Sequence, residues 1–180
     1  MVEATRRSVL ALVGGGLIMA ATDETLAWTF TFPAIEGGQL DLASLKGRVL
    51  LVTNTASFCG YTYQYDALEK LHAARKAEGL TIIGVPSQDF NQESADNATV
   101  KTFCETRFGI DFPLAAVSHV KGAKAAPFYA WVKQVRGWEP SWNFNKVLIG
   151  RDGRIIATFG SGDEPDGPAI TKAIAGALAG

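Results

Sequence analysis

The chain is poor in the residues from which metal centres are built: two cysteines and two histidines in 180 positions. No HxxH, HExxH or paired-cysteine spacing occurs, so neither a zinc site nor another bound cofactor is expected. Cationic runs are as scarce. Nothing longer than Arg6-Arg7 appears in a chain of net charge -1, which removes the basic footprint of nucleic-acid binding. Repeats, low-complexity segments and long linkers are missing too. The run Gly14–Gly16 follows no strand, so it is not a phosphate loop.

What is present is an ordinary globular composition, 47% hydrophobic and 19% charged, long enough for one domain with a sizeable core. The N-terminus departs from it. "TRRSVLALVGGGLIMAATDETLA" joins a twin arginine to an uncharged stretch of 15 residues, Ser8 to Thr22. That is short of the ~20 apolar residues of a membrane-spanning helix. With the small residues Thr25 and Ala27 before Trp28, residues 1–27 resemble a twin-arginine export signal cleaved after Ala27. The expected location is periplasmic or otherwise exported, where disulfides persist. A leader that is not a signal would leave the protein cytoplasmic.

Residues 28–180 read as one domain. "WTFTF" alternates apolar and polar residues as a half-buried strand does, and "GGQLDLASL" reads as a turn with a short return. "RVLLVTNTA" and "LTIIGVP" are near-continuous apolar runs, the mark of strands buried on both faces. Between them, residues 63–78 carry Tyr65, Leu68, Leu71 and Ala74 at helical spacing. A helix is expected over Ala98 to Phe108, capped by Asp96 or Asn97 and anchored by Val100 and Phe103; another over Ala126 to Val135. "KVLIG" and "RIIATFG" flank the turn "RDG", and an Ala-rich helix runs from about Pro168 to the end. This order fits a thioredoxin-like three-layer α/β/α sandwich with a central mixed sheet.

Cys59 falls where the first buried strand ends and a helix follows. Open α/β sheets bind ligands at the carboxyl ends of their strands. A helix N-terminus there offers free N–H groups and a positive dipole end, which favour a thiolate. The position suits a nucleophile, although by itself it leaves open an inert buried thiol.

The surrounding segments carry a family likeness. "NTASFCGYTYQYDALEKL" resembles the peroxidatic-cysteine segment of the glutathione peroxidase family, with Asn54, Ala56, Ser57, Cys59, Gly60, Thr62, Gln64 and Tyr65 in place. "GVPSQDFNQES" resembles the second family segment and "WNFNKVLIG" the third, so the likeness extends over about residues 28–178. It implies a peroxidase that reduces hydrogen peroxide and organic or lipid hydroperoxides. Around the thiol the family places a glutamine side chain, a tryptophan indole and an asparagine amide; Trp142 and Asn143 match the last two. N–H donors aimed at the sulfur would stabilise both the thiolate and the leaving oxygen.

The glutamine is where the chain departs from the pattern. The family's Asn-Gln-Phe stands here as Gln88-Asp89-Phe90, with one residue missing before the pair Gln92-Glu93. Asp89 thus takes the glutamine position, where an ionised carboxylate cannot donate and would repel a thiolate. Three arrangements are open: Asp89 points away, pairs with a cation, or acts as a base, and Gln88 supplies the amide after a small shift.

The resemblance also implies how the cycle closes. Cys104 stands where thioredoxin-using members carry a resolving cysteine, and the short link "RGWEPS" lacks the insertion of tetrameric, glutathione-using members. The expectation is a monomer that forms a Cys59–Cys104 disulfide and is reduced by a thioredoxin-like protein rather than glutathione. A thiol–disulfide oxidoreductase is disfavoured, because "CGYT" puts Thr62 where the second cysteine of Cys-x-x-Cys belongs. The alternative is a redox sensor or chaperone-like switch using the same disulfide without rapid turnover.

Overall fold

The computed structural model describes residues 25–180. Its centre is a four-stranded mixed sheet built from β3 (Val49–Thr55), β4 (Leu80–Pro86), β5 (Lys146–Ile149) and β6 (Ile155–Phe159), in the order β4-β3-β5-β6. β1 (Thr31–Pro33) and β2 (Gln39–Asp41) form a separate antiparallel hairpin. Four helices, α1 (Gln64–Arg75), α2 (Asn97–Phe108), α3 (Pro127–Arg136) and α4 (Pro168–Ala179), complete the described residues. β3 runs parallel to β4 across the α1 crossover and antiparallel to β5, which gives the sheet its mixed character.

β3 and its parallel neighbour β4, at the sheet's edge, are both buried over their whole length, which is why they read as continuous apolar runs rather than alternations. Successive side chains nevertheless divide between two cores, as the pleat requires. Leu50, Val52, Ile83, Val85, Val147 and Ile149 face α3 and the N-terminal hairpin. Val49, Leu51, Leu80, Ile82 and Leu148 face α1, α2 and α4. Each such side chain contributes about 1.5–3 kcal/mol on burial, so the two cores hold the sheet rigid between helical layers. This is the thioredoxin-like sandwich expected from the order of elements.

Two local differences from the sequence reading have physical causes. "WTFTF" begins with a 3-10 turn, Ala27–Thr29, and only then becomes β1. The Ala27 N–H donates to the Gly153 carbonyl, and Trp28 packs over Gly153, whose φ of +85° and contact with the indole leave no room for a Cβ. In α2, Asp96 is the cap, accepting from the Thr99 N–H, and the buried anchors are Val100 and Cys104, with Phe103 half-buried. The proposed export signal lies outside the described residues except for its last three.

Candidate active site

β3 delivers the chain to the carboxyl edge of the sheet, where residues 56–63 form successive turns before α1 begins. Thr62 closes them: its hydroxyl donates to the Ala56 carbonyl at 2.9 Å and accepts the Cys59 N–H at 3.0 Å. The Cys59 carbonyl in turn accepts the Thr62 N–H. These bonds turn the Tyr61 N–H onto the Cys59 sulfur at 3.4 Å. Cys59 is half-buried, so a peptide N–H meets the thiol from the protein side while the other remains accessible. Cys59 therefore sits in the turn that leads to the helix rather than on its first residue.

Asn143 comes from the segment before β5, and its seat is made by Asn54 at the end of β3. The Asn54 side chain donates to the Trp142 carbonyl at 3.0 Å and accepts the Asn145 N–H at 3.0 Å, while its own carbonyl accepts the Phe144 N–H at 2.6 Å. Between those bonds Phe144, fully buried, holds a φ of +58°. A non-glycine residue there is strained, and the strain persists because Asn54 fixes both sides of it. The kink buries the Asn143 amide, which donates to the Gln92 side-chain oxygen at 2.9 Å.

Gln92 ties this amide to the cysteine turn. Its carbonyl accepts the N–H of Phe58, next to Cys59, at 3.0 Å. With Oε1 engaged by Asn143, the Gln92 side chain keeps its NH2 as a donor. Trp142 stands 41% exposed with its ring against Phe90, centroids 5.3 Å apart, and Lys121 caps the other ring of that pair by a cation–π contact at 4.6 Å. Cys59, Gln92, Asn143 and Trp142 are thus joined through one hydrogen-bonded frame.

Gln88 and Asp89 lie elsewhere. Asp89 accepts from His119 Nδ1 at 2.6 Å, from the Val120 N–H at 2.6 Å and from the Lys121 N–H at 3.2 Å. Burial works to raise its pKa, but those three bonds outweigh it and hold the carboxyl below its usual range. The Gln88 amide donates to the Glu93 carbonyl at 2.9 Å. The amide that meets Asn143 is therefore Gln92, not Gln88, and Asp89 is spent anchoring the 119–121 loop. No sequence signal pointed to Gln92: matched from the Gln92-Glu93 side of the gap rather than the Phe90 side, the family's glutamine falls on Gln88.

Cys104 faces inward from α2, fully buried, and neither cysteine is in a disulfide. Burial pushes its thiol up to about 11; the charges of Glu93 and Glu105 add to the rise, and the neighbouring Tyr65 hydroxyl opposes it. Cys59 borders the same apolar cluster that contains Cys104. Glu93, noted in the sequence only as part of the Gln92-Glu93 pair, is buried beside Ser57, and burial raises its carboxyl pKa.

A thioredoxin-like fold carrying an accessible thiol, an N–H on its sulfur and a flanking amide pair defines a thiol-dependent oxidoreductase without a Cys-x-x-Cys pair. The family model described as glutathione peroxidase matches residues 27–133, and the chain belongs to the glutathione peroxidase family. It is 36% identical over 144 residues to a glutathione peroxidase of Lactococcus lactis, covering 77% of this chain and 92% of that one. It is 35% identical to a hydroperoxy fatty acid reductase of Synechocystis (82% and 94% covered) and 38% identical to a glutathione peroxidase-like peroxiredoxin of Schizosaccharomyces pombe (73% and 86%). Among solved structures, T. cruzi GPX1 superposes with a TM-score of 0.68 at 32% identity, covering 87% of this chain and 98% of that one. A DsbE-type protein from Chlorobium tepidum, at 21% identity and a TM-score of 0.61, shares the fold; 83% of this chain and 92% of that chain are covered. The protein is a glutathione peroxidase-like peroxidase, acting on hydroperoxides with a thiol reductant.

Proposed function

We propose that Cys59 is the peroxidatic nucleophile and that Gln92, Asn143 and Trp142 line its reaction. The thiolate attacks the distal peroxide oxygen, the O–O bond breaks, and the proximal oxygen leaves with a proton as water or alcohol. The cysteine is left as a sulfenic acid. The observation that carries this reading is the Tyr61 N–H on the sulfur in a turn pinned to the Gln92–Asn143 amide pair. Apolar hydroperoxides, fatty-acid hydroperoxides included, suit the mouth of the site. Phe58, Tyr63 and Trp142 are exposed aromatic side chains of the segments that build the site, and Tyr63, Phe103 and Phe108 line a groove with Thr62, Asp66 and Arg107.

In the second half-reaction the Cys104 thiol attacks the Cys59 sulfenic acid, forming the disulfide and releasing water, and an external dithiol reduces it by exchange. The short link before Trp142 supports a monomer served by a thioredoxin-like protein. The burial of Cys104 favours one alternative, a sensor that resolves slowly. The test compares hydrogen peroxide with a fatty-acid hydroperoxide, and thioredoxin with glutathione as donor, at catalytic protein concentration. Multiple turnovers with thioredoxin support the cycle. Turnover with glutathione alone would overturn the donor assignment, and a single equivalent consumed with either donor would favour the sensor.

Export through the Arg6-Arg7 segment belongs to the same proposal. The Ala27–Trp28 bond is buried in the folded unit, so a peptidase cutting there must act before this segment docks on Gly153. N-terminal sequencing of the protein from envelope fractions decides it: Trp28 first is the expected result, and Met1 overturns it.

A further inference from the structure

The fully buried side chain of Lys146, at the start of β5, has no role in the chemistry above. Its ammonium donates to Gln64 Oε1 at 2.7 Å and to the Asp163 carbonyl at 2.6 Å, with the Gly160 carbonyl at 3.5 Å. Among the described residues no carboxylate bonds it directly. Burying a cation among neutral acceptors is expensive, and an apolar side chain of similar length would avoid the cost. The bonds it makes show where that cost is spent.

Gln64 is the first residue of α1, directly after the Cys59 turns, and its NH2 donates to the Ser161 carbonyl at 2.7 Å. The Ser161 hydroxyl donates to the Asn143 carbonyl at 2.6 Å and accepts from the Asn145 side chain at 2.8 Å. Residues 160–164 therefore form a strap fastened to α1 by Gln64, to β5 by the ammonium and to the kinked Asn143 segment by Ser161. We propose that Lys146 is a positioning residue: its ammonium fixes this strap and, through Ser161, the Asn143 amide. The proposal rests on the reading of Cys59 as the peroxidatic thiol only for its kinetic consequence.

A protonated lysine offers three N–H donors, one for each acceptor around it; the neutral amine offers two. Burial pulls the Lys146 pKa down to about 8, against the charges of Glu164 and Asp163, so the strap loosens within an accessible range of pH. Those two carboxylates lie on the strap. α1 contributes the neutral Gln64, and the register partners on β3 and β6 are Thr53 and Phe159.

The kinetic test is the rate of Cys59 oxidation by hydrogen peroxide in the reduced full chain, followed from pH 6 to 10. The wild type should lose rate above about pH 8, where Lys146 gives up its proton. Lys146→Met should be about tenfold slower at neutral pH, the loss of one charge-assisted contact, and should show no alkaline fall. A Met variant with the wild-type rate and the same fall overturns the proposal, as does slowing with the fall retained. A second measurement needs neither a stable variant nor peroxidase activity. In the wild type, the NMR signals of the Lys146 side chain and the Asn143 amide should titrate with one shared midpoint. An Asn143 amide indifferent to that titration overturns the positioning role.

Discussion

The two thiols of this chain occupy opposite environments. Cys59 lies in a half-buried turn with the Tyr61 N–H on its sulfur, held by hydrogen bonds from Thr62, Gln92 and Asn54 outward. Cys104 is sealed in an apolar core, its thiol pushed up to about 11 by burial and by the charges of Glu93 and Glu105. One is presented by a rigid polar frame; the other is withheld by packing. A frame built of hydrogen bonds holds a nucleophile in place without covering it, whereas packing protects a thiol only as long as its helix stays shut. α2 is a suitable shutter, with Val100 and Cys104 its only fully buried residues and Phe103 leaning on the exposed Phe58 at 6.3 Å.

The largest effect should come from removing the presented thiol. Cys59→Ser keeps the turn, since a hydroxyl can accept the same Tyr61 N–H, but a serine hydroxyl has no thiolate chemistry at neutral pH. Peroxide reduction should fall by more than about 100-fold, with the melting temperature little changed. A variant retaining appreciable activity would place the reacting sulfur at Cys104 and invert the comparison. Cys104→Ser comes next. It should leave the first equivalent of peroxide consumed at the wild-type rate, read as sulfenic acid by a dimedone-type trap. Steady-state turnover with thioredoxin should drop at least about tenfold, because resolution then depends on an outside thiol. Full turnover would return Cys104 to a packing role.

How much of this contrast could be read from the residues alone depends on how local its causes are. β3 and β4 were legible because burial on both faces leaves an unbroken apolar run. The setting of Cys59 was legible because the strand before it and the helix after it lie within a few positions of it. Trp28 was not: an aromatic alternation is the same in a strand and in a 3-10 turn, and Gly153, which decides the matter, is distant in the chain. The glutamine was missed for a related reason. A gap of one residue makes Asp89 and Gln88 equivalent candidates in one dimension, and only the contact with Asn143, 51 residues on, brings out Gln92. Lys146 sits in a buried strand that its apolar neighbours disguise. What escaped in each case was a long-range partner.

The Gln92–Asp89 pair gives a third, smaller test. Gln92→Leu removes the side-chain amide that holds Asn143 and should slow Cys59 oxidation about fivefold, the value of one neutral hydrogen bond. Asp89→Asn should alter that rate by less than about twofold. The reverse ranking would put the carboxylate, not the amide, at the thiol.

The smallest effect concerns what Asp89 does instead. Its native pKa is held below that of the unfolded chain, with the His119, Val120 and Lys121 donors outweighing the burial that opposes them. A carboxylate of this kind contributes stability that is fully present above its unfolded pKa of ~3.9 and disappears as the pH falls through its native value. Asp89→Asn keeps an acceptor for the loop N–H groups but not the charge. With His119 largely exposed, the loss should be modest, about 1 kcal/mol at neutral pH, or roughly 2–4 °C in melting temperature for a unit of this size. The difference between variant and parent should close in acid, as the pH falls below the unfolded pKa and through the lower native one. Melting curves across that range check the sign. A gap that widens toward acid would mean that Asp89 is protonated in the native protein, and that the 119–121 loop is held by something other than its charge.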